Sequence, residues 1–265
     1  MYPAERIVCL TEETTETLYL LGEQHRIVAI SGYTVRPPQA RKEKPRVAAF
    51  ISADIAKILA LEPDLVLTFS DLQADIAAAL IRAGVSVHAF NQRSIAGILD
   101  MIRTIGALVG AADRAATLAD QLADGIASAR RRGDGLRRRP KVYFEEWDEP
   151  MISGILWVSE LIEIAGGIDI FADRAGGKSA QERTVSVEQV RLRSPDIIVG
   201  SWCGKKFNAE RVAARPGFDT IPAVRNRGLY EIKSSLILQP GPAALTDGLR
   251  ALERLIRNES AVEPH

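Results

Sequence analysis

Short apolar runs alternate with longer amphipathic stretches along this chain, and the alternation occurs twice. Arg6–Leu10 has the composition of a buried strand, followed by the polar stretch Thr11–Thr15, an apolar helical pattern and Gly22. Past the midpoint, Lys141–Phe144 is again strand-like, followed by Glu145-Glu146-Trp147-Asp148, a helical pattern from Trp157 to Ala165, and Gly166-Gly167. A second phrase also recurs: Leu59-Ala60-Leu61-Glu62-Pro63-Asp64-Leu65-Val66-Leu67 is echoed by Ser194-Pro195-Asp196-Ile197-Ile198-Val199. Ile27–Ile30, Leu65–Phe69 and Val85–Phe90 are further strand candidates in the first half, and Ile197–Gly200 and Leu229–Ile232 in the second. Ala74–Ala83 reads as a helix closed by Gly84, while Lys44-Pro45-Arg46 and Phe171–Arg183 read as loops, the latter exposed.

Strands alternating with helices predict an α/β fold with mainly parallel sheets, here as two Rossmann-like lobes. Between them, Asp113 to about Arg131 carries an unbroken helical pattern, with Leu118, Leu122 and Ile126 on one stripe and a break at Gly133-Asp134-Gly135. The reading is an N-terminal lobe over 1–109, a single long connector helix and turn over 110–139, and a C-terminal lobe over 140–265. Two lobes predict a cleft, and clefts take small molecules.

Charge is balanced, with 34 basic and 34 acidic side chains, which gives no support for nucleic-acid binding. Six arginines within Arg130–Arg139 read as a solvated helix end and turn, with a polyanion contact as the alternative. No apolar run approaches the ~20 residues of a membrane-spanning helix, so no membrane insertion is expected. Met1-Tyr2-Pro3-Ala4-Glu5-Arg6 leads directly into the first strand without the features of a secretory signal. The expectation is a cytoplasmic protein, or a periplasmic one if the native start lies upstream.

Enzyme signatures are sparse. His25, His88 and His265 are the only histidines, and no pair has metal-ligand spacing. Cys9 falls in a buried strand, and Cys203 lies in a polar loop without an obvious histidine base. What remains are polar and aromatic clusters just after strands, where parallel sheets bind ligands. In the first half these include Glu13 and Thr14, which also suit a helix N-terminus, then Tyr33, Phe50 with Ile51, and Ser70 with Asp71. In the second half they are Glu146, Trp147, Trp202, Cys203 and Lys205. Aromatic rings in such loops either seal a lobe interface or clamp a bulky ligand, and Phe50 and Trp202 are the expected stacking pair on a shared groove.

At these residues the chain resembles the substrate-binding proteins of vitamin B12 and iron-siderophore ABC importers, in their cobalamin-binding branch. The resemblance rests on Arg6–Leu10 with Thr14-Thr15-Glu16 ahead of Leu20-Leu21-Gly22; on Ile58 to Val66; on Trp157 to Gly167; on Val185-Ser186-Val187-Glu188-Gln189-Val190 with Ser194 to Ile198; and on Ile221 to Asn226. It implies a class III solute-binding fold with little hinge closure and no catalytic residues. It also implies a corrinoid such as cobalamin held between the lobes as ligand, with no cofactor. By position, Tyr33 and Phe50 match first-lobe corrin contacts, and Trp147 and Trp202 fall in second-lobe ligand-facing loops. An ABC permease is the implied partner, docked through one acidic residue per lobe. Glu188 matches the second-lobe position, while Ala56, with Asp54 nearby, stands at the first. That departure, like the missing signal, points towards a binder that has diverged from transport. The expected function is thus a non-enzymatic solute-binding protein. The alternatives are a periplasmic importer component for cobalamin, haem or an iron-siderophore, and a metal-handling protein or enzyme using Cys203 with Glu145 or Glu146.

Overall fold

Both halves of the chain build a mainly parallel sheet around one central strand. The computed structural model describes residues 3–260. In the first half, β1 (Ile7–Cys9), β2 (Ile27–Ser31), β3 (Arg46–Ala48), β4 (Leu65–Phe69) and β5 (Val87–Phe90) form one sheet in the order β3-β2-β1-β4-β5. Every pairing is parallel. Ile7, Val8 and Cys9 of β1 are fully buried, as expected of a central strand with helices on both faces. In the second half, β6 (Lys141–Asp148), β7 (Met151–Ser153), β8 (Ile168–Asp169), β9 (Ile197–Gly200) and β10 (Leu229–Glu231) run in the order β10-β9-β6-β7, with β8 pairing the start of β6. Only the β6–β7 pair is antiparallel.

The repeated Pro-Asp phrase performs the same task in both halves. The residue before each proline takes a left-handed backbone, Glu62 at φ 46° and Ser194 at φ 51°. The following aspartate then accepts backbone N–H groups at the start of the neighbouring central strand. Asp64 accepts from Glu5 at 2.7 Å and Arg6 at 3.0 Å, and Asp196 accepts from Lys141 at 2.8 Å. Each aspartate also donates its own N–H back, to the Arg6 carbonyl at 3.0 Å and the Lys141 carbonyl at 2.8 Å. This reciprocal clip sets the register of β4 on β1 and of β9 on β6.

The chain forms two compact units, one taking in residues up to Gln92 with Ala96–Ala123, the other Arg93–Ile95 with the chain from Asp124 onward. The 23-residue helix Ala112–Asp134 carries the chain from one to the other. It runs on through Gly133 instead of breaking there, because this glycine is a packing site. A Cβ at Gly133 would lie 2.5 Å from the Ile164 carbonyl oxygen and 2.7 Å from the Gly166 nitrogen. Gly133→Ala is therefore expected to cost about 1–3 kcal/mol, since backbone atoms must give way. Gly125→Ala in the same helix meets nothing within 4 Å, and should gain about 0.5–1 kcal/mol in the same urea titrations. Equal effects at the two positions would contradict the close approach.

Several elements differ from the sequence reading. β3 begins at Arg46, inside a stretch read as a loop: a three-residue edge strand buries only Val47 and shows too little periodicity to stand out. β6 does not end at Phe144 but continues to Asp148, because β7 supplies an antiparallel partner, with Trp147 opposite Ile152 and Asp148 opposite Met151. Glu145 to Asp148 are thus strand residues, not loop residues. Phe171–Arg183 is mostly turn and mostly exposed, as read from sequence, but Phe171, Ala175 and Arg183 are buried and anchor it. His265 lies outside the described residues.

Candidate functional site

Parallel strands end in the same direction, so the loops after β1 to β4 share one edge of the first sheet. At that edge, the exposed Tyr33 follows β2, Phe50 and Ile51 follow β3, and Leu72 follows β4; Ile51 is 71% exposed and Leu72 58%. Local geometry fixes the loops that carry them. The Ala49 N–H donates to the Ser52 carbonyl at 2.8 Å, closing a tight turn that presents Phe50 and Ile51. Gly32 donates to the Ala48 carbonyl at 2.7 Å, and the Tyr33 N–H to the Ser31 hydroxyl at 3.3 Å. Ser70, with φ 60°, caps the turn Asp71–Gln73 by accepting the Leu72 N–H, and Asp71 is exposed.

Gln73, not anticipated from sequence, ties this edge together. Its buried amide accepts the Phe69 N–H at 3.0 Å and donates to the Leu10 carbonyl at 3.3 Å and the Phe50 carbonyl at 2.8 Å. One side chain thus links the ends of β1 and β4 to the Phe50 turn. The available signal was a lone amide between a strand and an alanine-rich helix.

Behind the edge, the helix Glu12–Leu20 buries its polar start. Thr14 donates to the Thr11 carbonyl at 3.1 Å and is fully buried. Glu12 and Glu13 are 8% and 2% exposed, and each keeps one carboxyl oxygen without a partner. Burial pushes the Glu12 carboxyl up to about 8, with the Glu13 and Glu16 charges adding to the rise, and burial pushes Glu13 up to about 7. Glu16 itself meets Arg36 at 2.9 Å. Cys9, beneath, has its thiol pushed up to about 12 by burial, which makes it inert.

In the second unit the ends of β6 and β9 bring Trp147, Trp202 and Lys205 together. The Lys205 ammonium sits 4.1 Å from the Trp147 ring centroid and 5.1 Å from that of Trp202, and it donates to Asp148 at 2.5 Å. Burial alone would raise the Asp148 carboxyl, but the Lys205 hydrogen bond and charge outweigh it and hold the group below its usual range. Trp147 is half-buried, its indole N–H on the Glu149 carbonyl at 3.0 Å. Trp202 is a core residue, 4% exposed. Its edge meets Phe207 at 5.0 Å, a ring that lies against Gly200, where a Cβ would sit 1.8 Å from it. Stacking of Trp202 on a ligand, expected from its loop position, is therefore replaced by packing against Phe207. Trp157 is also buried, and donates to the Ile237 carbonyl at 2.8 Å.

The acidic residues here are structural. Glu145 is fully buried, accepting from Arg215 at 2.5 and 3.0 Å and from the Trp202 indole at 3.1 Å. Glu146 receives both nitrogens of the buried Arg183, at 2.5 and 3.1 Å. With both carboxylates engaged by arginine, neither serves the exposed Cys203 as a base. Among the described residues no three His, Cys, Asp or Glu side chains gather to hold a metal ion.

Of the residues at the expected docking positions, Glu188 is exposed in the first turn of Val187–Arg193 and bonded to Arg191 at 2.7 Å, which lowers its carboxyl pKa. Ala56 is exposed, and the adjacent Asp54 caps the helix Ile55–Leu59 by accepting the Lys57 N–H at 2.9 Å.

Two α/β units of this topology agree with what comparisons with known proteins show, that the chain is a solute-binding protein. The chain belongs to the periplasmic binding protein family, whose model matches residues 7–236. It is similar to a vitamin B12-binding protein of Vibrio cholerae, at 27% identity with 92% of this chain and 86% of that one covered. Its fold is that of a possible iron-binding, periplasmic solute-binding protein from Staphylococcus epidermidis, with TM-score 0.83, 24% identity and coverage of 96% and 99%. A periplasmic haem-binding protein from a Roseiflexus species aligns with TM-score 0.80 and 26% identity over 96% and 99% of the two chains. No helix among the described residues is long and apolar enough to cross a membrane.

Proposed function

We propose that this protein is a corrinoid-binding component of an ABC importer, with cobalamin as its first ligand. The observation that carries this reading is the set of exposed apolar side chains, Tyr33, Phe50, Ile51 and Leu72, presented on one sheet edge by loops with fixed hydrogen bonds. A soluble protein that keeps four large apolar groups in solvent at a ligand edge presents a surface suited to a broad, partly apolar solute. Trp147, with its attendant lysine, supplies a further ring in the second unit. The cobalamin-binding relative supports the choice within this class. Haem is the second reading, and the exposed Tyr33 phenol favours it as a ligand to iron.

Calorimetric titration with cyanocobalamin, cobinamide and haem tests both readings. Saturable cobalamin binding is expected, and Phe50→Ala should weaken it by about 1–3 kcal/mol with unchanged thermal stability. A preference for haem that Tyr33→Phe removes would select the second reading. Absence of saturation by all three at micromolar concentration would end both. Glu188 is the permease contact we propose. The compartment, cytoplasmic or periplasmic, is decided by fractionating cells that express the gene with its native upstream sequence.

A further inference from the structure

Four buried polar side chains of the first unit lack a partner near the carboxyl ends of three neighbouring strands, β2, β1 and β4. Glu12 and Glu13 open the helix after β1, and one oxygen of each carboxyl is buried without a hydrogen bond. Thr34, one residue past Tyr33 in the loop after β2, is fully buried, and its hydroxyl also lacks a partner. The Thr68 hydroxyl, one residue before the end of β4, is in the same condition. A buried group left unsatisfied carries its full desolvation cost. Polar side chains from separate loops and strands thus share one edge and one unmet demand for hydrogen bonds.

That edge is the one that presents the apolar groups. Gln73 joins Leu10, two residues before Glu12, to the Phe50 turn. Arg36, two residues past Thr34, meets Glu16 at 2.9 Å, one helical turn past Glu12. The charges around the pair are Glu16 on its own helix, Arg41 on the helix Ala40–Glu43, and Lys44, which with Glu13 acts on the Cys9 thiol beneath. Arg36 is engaged by Glu16, and Arg41 is exposed, where water and salt screen it. The two carboxyls are buried and less screened. A carboxyl with an open oxygen accepts an N–H donor, and once ionised it repels a second carboxylate.

We infer that Glu12 and Glu13, with Thr34, form a polar subsite beside the apolar edge, which selects a solute carrying carboxamides over one carrying carboxylates. The inference rests on the corrinoid reading above, since cobalamin carries carboxamides around its ring, and it sets cobalamin apart from haem with its propionates. Two corrinoids with the same ring test it: dicyanocobinamide, which has the carboxamides, and dicyanocobyrinic acid, which has carboxylates in their place. The full chain is compared with Glu12→Gln/Glu13→Gln, a change that keeps the shape of both side chains and removes their ionisation.

Calorimetry at pH 8.5 is expected to show the parent preferring cobinamide by about tenfold or more. The preference should narrow at pH 6.5, where the two carboxyls, titrating at about 8 and about 7, hold more of their protons. In the variant it should shrink and lose its dependence on pH, with cobinamide still bound. A merely structural role for the pair would move both affinities together and leave their ratio unchanged. The parent's own pH dependence needs no variant to be read. The inference is overturned, with the corrinoid reading intact, if cobinamide binds but the preference is absent, is the same at both pH values, or is equal in parent and variant. If neither corrinoid binds the parent, the corrinoid reading fails and the inference falls with it.

Discussion

Glu145→Ala is expected to be the most damaging single change in this protein, lowering the unfolding free energy by about 3–5 kcal/mol. The carboxylate is fully buried and receives three hydrogen bonds, two from Arg215 and one from the Trp202 indole. Arg215 keeps only 14% of its side chain exposed, so once its partner is gone its charge cannot be rehydrated in place. Burial is the largest influence and works against that charge, but the Glu145 hydrogen bond and charge, with the Tyr143 and Asp148 charges, together outweigh it and hold the guanidinium above its usual pKa. The indole N–H would also be left without an acceptor, adding its own desolvation cost.

Glu145→Gln keeps the shape and part of the hydrogen bonding, and should cost less than the alanine. Removing both charges, in Glu145→Gln/Arg215→Met, should be milder than Glu145→Ala, because no buried charge remains unpaired. Glu188→Ala, which breaks only an exposed pair with Arg191, should leave stability unchanged. Urea denaturation of the four variants measures the ranking. A Glu145→Ala protein as stable as Glu188→Ala would show that the buried pair does not hold β6 to the β9 loop.

The second large effect is a loss of stability as pH rises. Glu12 and Glu13 titrate at about 8 and about 7 in the folded chain, against 4.5 for the ordinary group. Below 4.5 both states carry the protons and the contribution is fully present. Above it the unfolded chain releases protons that the folded chain still holds, so folding becomes less favourable until pH passes about 8. The total is on the order of 8 kcal/mol. His88 acts in the opposite sense, since burial lowers its pKa and stability is gained as pH rises towards 6.5. Asp169, raised by burial, adds to the carboxylate slope.

Unfolding free energies between pH 6.5 and 8.5 therefore isolate the acidic pair. Glu12→Gln/Glu13→Gln should flatten the profile there and raise stability at the alkaline end. A parent profile that rises across this interval, or one that the double variant leaves unchanged, would contradict the buried, proton-retaining state. The same pair opens the helix that follows β1, at the sheet edge where the loops after β2 and β3 present Tyr33 and Phe50, so its protonation should also register in ligand titrations as proton uptake or release.

The fold was legible because its signals are local. β1, β2 and β4, the helix Ala74–Arg82 and the long helix Ala112–Asp134 each carry their periodicity within a few turns or a few residues. The repeated Pro-Asp phrase marked the internal symmetry correctly, although its task, clipping each central strand through Asp64 and Asp196, needed coordinates. The site was only half legible. Tyr33, Phe50 and Ile51 are exposed in strand-end loops, where the pattern put them. Trp202 and Gln73 show what the pattern lacked. A tryptophan after a strand looks the same in sequence whether it faces solvent or, as here, packs on Phe207. A glutamine between a strand and a helix does not reveal that it will reach Leu10 and Phe50.

By itself, then, the sequence determined two α/β repeats and the placement of polar and aromatic residues near strand ends, while its resemblance to a known family implied the solute-binding class. Periodicity and turn chemistry act between near neighbours, and one chain contains that information. Tertiary structure alone decided which of those residues are spent on the fold: Glu145 on Arg215, 70 positions away, Lys205 on Asp148, 57 away, and the extension of β6 by its pairing with β7. Burial and pairing depend on where distant segments meet, and a charged or aromatic side chain is identical in sequence before and after that meeting.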